Sequence, residues 1–321
     1  MVKSDKYAIG VDLGGTFIKF GLVSSEGVIE KKLKLKTNVE NGHEPVAAAI
    51  LEGVTGLIES GVKVTGIGIG SPGTVNPSKG TVDTPPNFPN WGVVPLAKII
   101  EKKSGIETFI ENDANAAAIG ELIFGAGKEY KSFILVTLGT GVGGGIIFKG
   151  KVFRGEFSTA GEIGHMSINQ FNGPKCNCGG IGCIEAYLGN KHLVAAVKKE
   201  LPAHTSSKIY ELMDYNFDNL TPQIISKAAE QGDQYAKSVI IDCGEKLGMV
   251  LASACNLLDI STIIVGGGVA GFGSVLYESA EKSTKSRVLG SISPRIKVIP
   301  AKLKNDAGIL GAASLVFDKN K

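Results

Sequence analysis

Short apolar runs stopped by glycine set the rhythm of this chain. Residues 7–23 (YAIGVDLGGTFIKFGLV) predict a strand, a tight Gly-Gly turn and a second strand, and SSEG at 24–27 opens another turn. Residues 132–148 (SFILVTLGTGVGGGIIF) repeat that plan about 125 residues later. A strand–glycine turn–strand unit that occurs twice points to two related α/β halves. Helical periodicity fills the intervals at 45–60, 94–104 and 113–124. A long amphipathic pattern covers 233–258 and leads into a strand, STIIV, and the turn GGG. The segment 305–318 (NDAGILGAASLVFD) reads as a closing helix with an Asn/Asp cap.

Composition narrows the function classes. The chain has 321 residues, enough for two α/β domains with proper cores. Lys+Arg minus Asp+Glu is 34 − 31 = +3, too balanced to announce nucleic acid or a membrane as partner. Glycine, at 44 residues, stands at about twice its usual share and gathers at apparent strand ends. Ile260 to Tyr277 is the longest uncharged run, but its five glycines make it strand, turn and helix start, not a membrane span. No signal peptide is visible ahead of VDLGGT. Five cysteines fit a reducing compartment, and the expectation is a soluble cytoplasmic protein.

The segment from Glu162 to Glu185 concentrates the candidate chemistry. His165, Cys176, Cys178 and Cys183 fall within 19 residues, flanked by the two glutamates. Thiolates and one imidazole suit a tetrahedral zinc site, and glycines 179, 180 and 182 let a short loop turn its sulfurs inward. The spacing C-x-C-x4-C is not the usual finger knuckle, so buried thiols or a disulfide remain open at this level. A closed metal site here is structural, fixing the distance between two carboxylates.

G-x-G-x-x-G occurs three times, at 68–73, 139–144 and 266–271. The first contains Pro72, the second runs into a strand, and the third lacks the acidic residue that should end a following strand. A dinucleotide fold is therefore not expected. No G-K-[ST] is present either, although glycine turns can cradle phosphate in other arrangements.

D-L-G-G-T at 12–16, E-N-D-A-N at 111–115, L-G-T-G-V-G-G-G at 138–145, G-E-I-G-H at 161–165 and C-N-C-G-G-I-G-C-I-E at 176–185 together resemble the ROK family of bacterial sugar kinases, repressors and open reading frames. The resemblance implies the actin-like, ribonuclease H-like α/β fold, two domains about a central cleft. It places a small domain at 1–120, completed by the terminal helix 305–321, and a large domain at 121–304 holding the zinc segment 162–185. It also implies roles. Asp12, Gly14, Gly15 and Thr16 resemble the first phosphate loop, with Asp12 facing Mg²⁺ through water. Thr140 and Gly141 resemble the second, and Gly266, Gly267 and Gly268 the turn beside the adenosine of ATP. Asp113 looks like the catalytic base. Asn87, Asn112, Asp113, Glu162, His165 and Glu185 look like sugar contacts, with His165 also joining Cys176, Cys178 and Cys183 on a structural Zn²⁺.

The physical reasons stand beside the resemblance. Phosphoryl transfer needs positioning and charge neutralisation. A sugar hydroxyl gains from a neighbouring carboxylate that accepts its proton. Taken singly, Asp113 reads equally as a helix N-cap, Asp12 as a turn residue and His165 as a structural histidine. The expected activity is ATP-dependent phosphorylation of a hexose at its 6-hydroxyl, glucose to glucose 6-phosphate, the first step of glycolysis. Acetamido-sugar kinases, for N-acetylmannosamine or N-acetylglucosamine, are the alternatives. A sugar-responsive repressor is the other class. Only six residues precede Tyr7, so no DNA-reading helix is expected ahead of it. Small-molecule sugar and ATP are the expected partners, without nucleic acid or membrane, in a homodimer or homotetramer.

Overall fold

The computed structural model describes residues 6–58 and 62–317. The first half begins with β1 (Tyr7–Leu13), β2 (Phe17–Ser24) and β3 (Ile29–Lys36), followed by α1 (His43–Leu57) and β4 (Val64–Ser71). Three short strands come next: β5 (Thr74–Asn76), β6 (Thr81–Asp83) and β7 (Val93–Val94). Then come α2 (Leu96–Ser104), β8 (Thr108–Asn112) and α3 (Asp113–Phe124). The second half starts with β9 (Phe133–Leu138), β10 (Val142–Phe148) and β11 (Lys151–Val152). Helices α4 (Glu185–Leu188), α5 (Asn190–Glu200), α6 (Ile209–Leu212), α7 (Pro222–Glu230) and α8 (Gln234–Leu258) follow. The chain closes with β12 (Thr262–Gly266), α9 (Ser274–Lys285), β13 (Lys297–Pro300) and α10 (Ala307–Phe317).

The duplication read from the glycine turns is a duplication of topology. One sheet has the order β3-β2-β1-β4-β8 and another the order β11-β10-β9-β12-β13. In each, an N-terminal meander is extended by two parallel strands, and a helix follows the last of them. A third, small sheet has the order β5-β6-β7. The helices predicted at 45–60, 94–104 and 233–258 are present as α1, α2 and α8, with residues 59–60 outside the described residues. At the closing helix, Asn305 and Asp306 form a 3-10 turn ahead of α10, and the Asp306 carboxylate pairs with Lys32 at 2.6 Å. Asp318 lies outside the described residues.

By internal contacts the chain divides into two units. One comprises 1–131, 145–160 and 302–321, the other 132–144 and 161–301. In the first unit, strands β1, β2 and β4 and helices α1 and α2 bury a continuous core that includes Ile9, Phe20, Ile50, Ile67 and Ile100. On the other side of that sheet, α10 lays Ile309, Leu310, Ala313 and Val316 against Ala8 and Val23. The helix comes that close because β1 and β4 present glycines beneath it. A Cβ on Gly10 would collide with the carbonyl of Ile309, and one on Gly68 with that of Ala312. Gly68 of the first G-x-G-x-x-G is thus a packing residue.

The parallel register decides where chemistry gathers. Asp12 pairs with Gly70 and Gly70 pairs with Glu111, so Asp12 and the Glu111-Asn112-Asp113 turn stand along the C-terminal edge of one sheet. Open α/β sheets bind ligands at that edge.

Candidate active site and metal cluster

In the first unit the Gly-Gly turn is tied down by backbone bonds. Gly14 N–H donates to Phe17 at 3.1 Å, Thr37 N–H to Thr16 at 3.1 Å, and the Thr37 hydroxyl to the Gly14 carbonyl at 2.6 Å. Gly15 and Thr16 are left exposed. At the end of β1, Asp12 Oδ2 accepts from Lys19 Nζ at 3.0 Å, a pairing that sequence reasoning missed. Across the turn, Asn87 has a left-handed backbone (φ 65°), and a Cβ on Gly15 would sit 3.9 Å from the Asn87 Cβ. The Asn87 loop is held by Phe88 edge-on to the buried Trp91, with ring centroids 5.0 Å apart.

Asn112, not Asp113, caps α3. Asn112 Oδ1 accepts from the N–H groups of Ala114 at 3.0 Å and Asn115 at 3.2 Å, while its amide donates to the Gly73 carbonyl at 3.3 Å. Asp113 occupies the first helical position and accepts from Ala114 N–H at 2.8 Å. A carboxylate there lies against the positive end of the helix dipole.

In the second unit, the turn Gly139–Gly141 closes on itself through Gly139 N–H to the Gly141 carbonyl, leaving Thr140 exposed. Beside it, Gly267 has φ 92° and sits where a Cβ would collide with the Leu138 carbonyl. Only glycine satisfies both demands. Next to this turn is a cavity of about 330 Å³ lined by Gln223, Ser226, Lys227, Gly268, Gly271 and Phe272. Helix α7, which forms one wall, carried no sequence signal for a ligand.

The four metal-type side chains of this segment come together in the structure. Two arms of the 162–185 segment zip together through Ile168 N–H to Gly182 and Ile184 N–H to Met166, and Cys176 N–H closes a tight loop onto Gly180. The ligand atoms of His165, Cys176, Cys178 and Cys183 then lie within 4.8 Å of one another. Cys178 and Cys183 sulfurs are 3.7 Å apart, and Cys176 Sγ is 3.7 Å from His165 Nδ1. All five cysteines are free thiols. A disulfide would need about 2.05 Å, whereas a tetrahedron of ~2.3 Å zinc–sulfur bonds has edges near 3.8 Å. The donor set fits zinc. Burial pushes the Cys176 thiol up and that of Cys183 to about 12, while a backbone hydrogen bond from Gly180 holds Cys178 below its ordinary value. A cation would be needed to keep three such sulfurs ionised.

The flanking glutamates behave differently from each other. Glu162 is exposed, its Oε2 lying 3.9 Å from His165 Nε2, which leaves Nδ1 as the ring atom facing the sulfurs. Glu185 is tied inward. Its Oε2 accepts from Val142 N–H at 2.9 Å, and its Oε1 lies 3.8 Å from Cys176 Sγ. It therefore joins the second glycine turn to the cysteine cluster, a connection that spacing alone did not suggest.

The ROK family model matches residues 8–319. The chain belongs to the ROK family. Among relatives, a glucokinase of Thermotoga maritima is 36% identical over 311 residues, covering 97% of each chain. A xylose repressor of Caldicellulosiruptor bescii is 32% identical, covering 96% of this chain and 77% of the repressor. A ROK family glucokinase from Streptomyces griseus, solved in complex with glucose and AMPPNP, superposes with a TM-score of 0.85 at 37% identity, covering 97% of this chain and 99% of that one. The fold is the actin-like α/β fold of ROK sugar kinases.

Proposed function

We propose that this protein is an ATP-dependent hexokinase that phosphorylates glucose at the 6-hydroxyl. The observation that carries this reading is the edge of the first sheet, where Asp12 with its Gly-Gly turn and the Asn112-Asp113 pair share one register. Full-length similarity to glucokinases supports it.

In this reading Asp113 accepts the hydroxyl proton as the sugar oxygen attacks phosphorus, and Asn112 and Asn87 hold neighbouring hydroxyls. Glu162, His165 and Glu185 supply further hydroxyl contacts from their own segment. The turns at 14–16 and 140–141 present backbone N–H groups to phosphate oxygens, and the base of ATP takes the cavity between α7 and Gly268. Asp12 would face Mg²⁺ through water, and the ion would neutralise phosphate charge. His165, Cys176, Cys178 and Cys183 would hold Zn²⁺ in a structural role.

A cytoplasmic setting agrees with five free thiols and with the finding that no helix among the described residues is long and apolar enough to cross a membrane. Steady-state rates with ATP–Mg²⁺ on glucose, mannose, fructose, N-acetylglucosamine and N-acetylmannosamine test the assignment. Glucose is expected to give the highest kcat/KM, since a site that bonds particular hydroxyls rejects analogues lacking them by up to about 10⁴–10⁵. An acetamido sugar leading by tenfold would move the substrate and keep the reaction. No turnover on any of the five would defeat the reading.

A further inference from the structure

Within the first unit an ion pair between a buried carboxylate and a half-buried guanidinium lies immediately beside the proposed base. Glu111 is 1% exposed and is the last residue but one of β8, the strand that delivers Asn112 and Asp113. Its two oxygens have different partners. Oε2 accepts from Arg154 Nε at 2.7 Å and lies 2.7 Å from a terminal guanidinium nitrogen in an ion pair. Oε1 accepts from Asn112 N–H at 2.9 Å and from the Asn115 side-chain amide at 3.3 Å. That amide orientation leaves Asn115 Oδ1 buried without a partner among the described residues, so the bond to Glu111 is what sets it.

The consequence is mechanical as well as electrostatic. Asn112 N–H precedes the first turn of α3 and Asn115 lies within it, so one carboxylate oxygen holds the backbone just before Asp113 and a side chain just after it. Arg154 in turn is fixed by its own loop, whose Ala160 N–H donates to the Arg154 carbonyl at 3.0 Å. A guanidinium suits this duty because it brings two nitrogens to one carboxylate oxygen and leaves the other oxygen for α3, whereas an ammonium is a single point charge. It also cancels a buried negative charge two residues from the base. Glu111 alone in that position would be an uncompensated buried ion.

We propose that the Arg154–Glu111 pair is a positioning clamp for Asp113, fixing the first turn of α3 so that its carboxylate meets the sugar hydroxyl in reactive geometry. The proposal rests on the reading of Asp113 as the base. Neither residue is assigned contact with substrate.

The test compares Arg154→Met, Arg154→Lys and the double variant Arg154→Met/Glu111→Gln, the last removing both charges so that no lone ion stays buried. For each, kcat and KM are measured with glucose and ATP–Mg²⁺, normalised to folded protein, alongside hydrogen exchange of the Ala114 and Asn115 amides. Misplacing a reacting group by about 1 Å can cost 10²-fold in rate. The expected result is therefore a fall of about that size in kcat for Arg154→Met, an unchanged KM for ATP, and faster exchange at both amides. Arg154→Lys should recover part of the loss. The double variant should fold and remain slow, because the guanidinium is gone. Wild-type kcat in the double variant, or exchange at the two amides that does not change, overturns the clamp. If the unmodified protein turns over no hexose while the variants still exchange faster, the clamp stands and the hexokinase reading is what fails.

Discussion

Asn112 and Asp113 are neighbours with separate duties. Asn112 caps α3 through two backbone N–H groups, and the adjacent carboxylate is left at the first helical position. Replacing Asp113 with Asn should leave the cap intact and remove only the favourable placement of charge at a helix N-terminus, about 0.3–1 kcal/mol. Its effect on turnover should be far larger, a loss of about 10²–10⁴-fold in kcat if the carboxylate is the general base. Melting temperature and glucose affinity should stay near wild type. A variant turning over within a few-fold of wild type would make Asp113 a helix-terminus charge and no more. Asn112→Ala should cost about 1 kcal/mol of stability through the lost cap and, as Asn112 is read as a sugar contact, raise the KM for glucose as well. At this scale the sequence was legible where the candidate ligands sat inside one segment, as with His165 and the three cysteines, while its helix-cap reading fell on Asp113 and the cap is Asn112. It was silent on Lys19 with Asp12, on Glu185 with Val142, and on Arg154 with Glu111, because partners brought together by folding leave no spacing to read.

At the scale of elements, apolar periodicity located the long helices and the paired strands to within a few residues, since buried stripes and β-rich runs are properties of contiguous sequence. The glycine patterns were harder to interpret. Three matches to one dinucleotide motif have three structural causes: close packing under α10 at Gly68, a strand hairpin at 139–141, and a tight turn beside Leu138 at Gly267. Gly68 offers the sharpest test. A methyl group there meets the backbone of α10, which has no flexible end to move aside. Gly68→Ala should therefore destabilise by an overpacking amount, about 1–3 kcal/mol or more. Thermal or urea unfolding of the intact chain measures it. A stability within 0.5 kcal/mol of wild type, the range of an ordinary surface change, would mean that α10 is not seated on β4 as described. The 3-10 turn at Lys304–Asp306 was not foreseen because Asp306 has a better partner in Lys32 than in the helix end that follows it.

For the molecule as a whole, both halves run the same course, and the largest departure is the stretch between β11 and β12 that contains the cysteine cluster and five helices. That stretch joins its two arms by few backbone bonds, Ile168 to Gly182 and Ile184 to Met166. A metal held by His165, Cys176, Cys178 and Cys183 would fix His165 and the start of α4 together, and with them Glu162 and Glu185. Because such a site does not exist in the unfolded chain, metal binding there is folding free energy. One zinc per chain is expected in protein purified without chelator. Stripping it should lower the melting temperature and weaken glucose binding together. Zinc affinity should also fall as pH drops, since protons compete for sulfurs; burial already favours the protonated form at Cys176 and Cys183. Cys178→Ser separates metal from packing, because Cys178 is exposed and the change removes a ligand with little loss of buried volume. Elemental analysis, thermal unfolding and glucose titration of both proteins decide it. A metal-free wild type, or a Cys178→Ser variant with unaltered melting temperature and glucose affinity, would leave the cluster as four side chains sharing a loop.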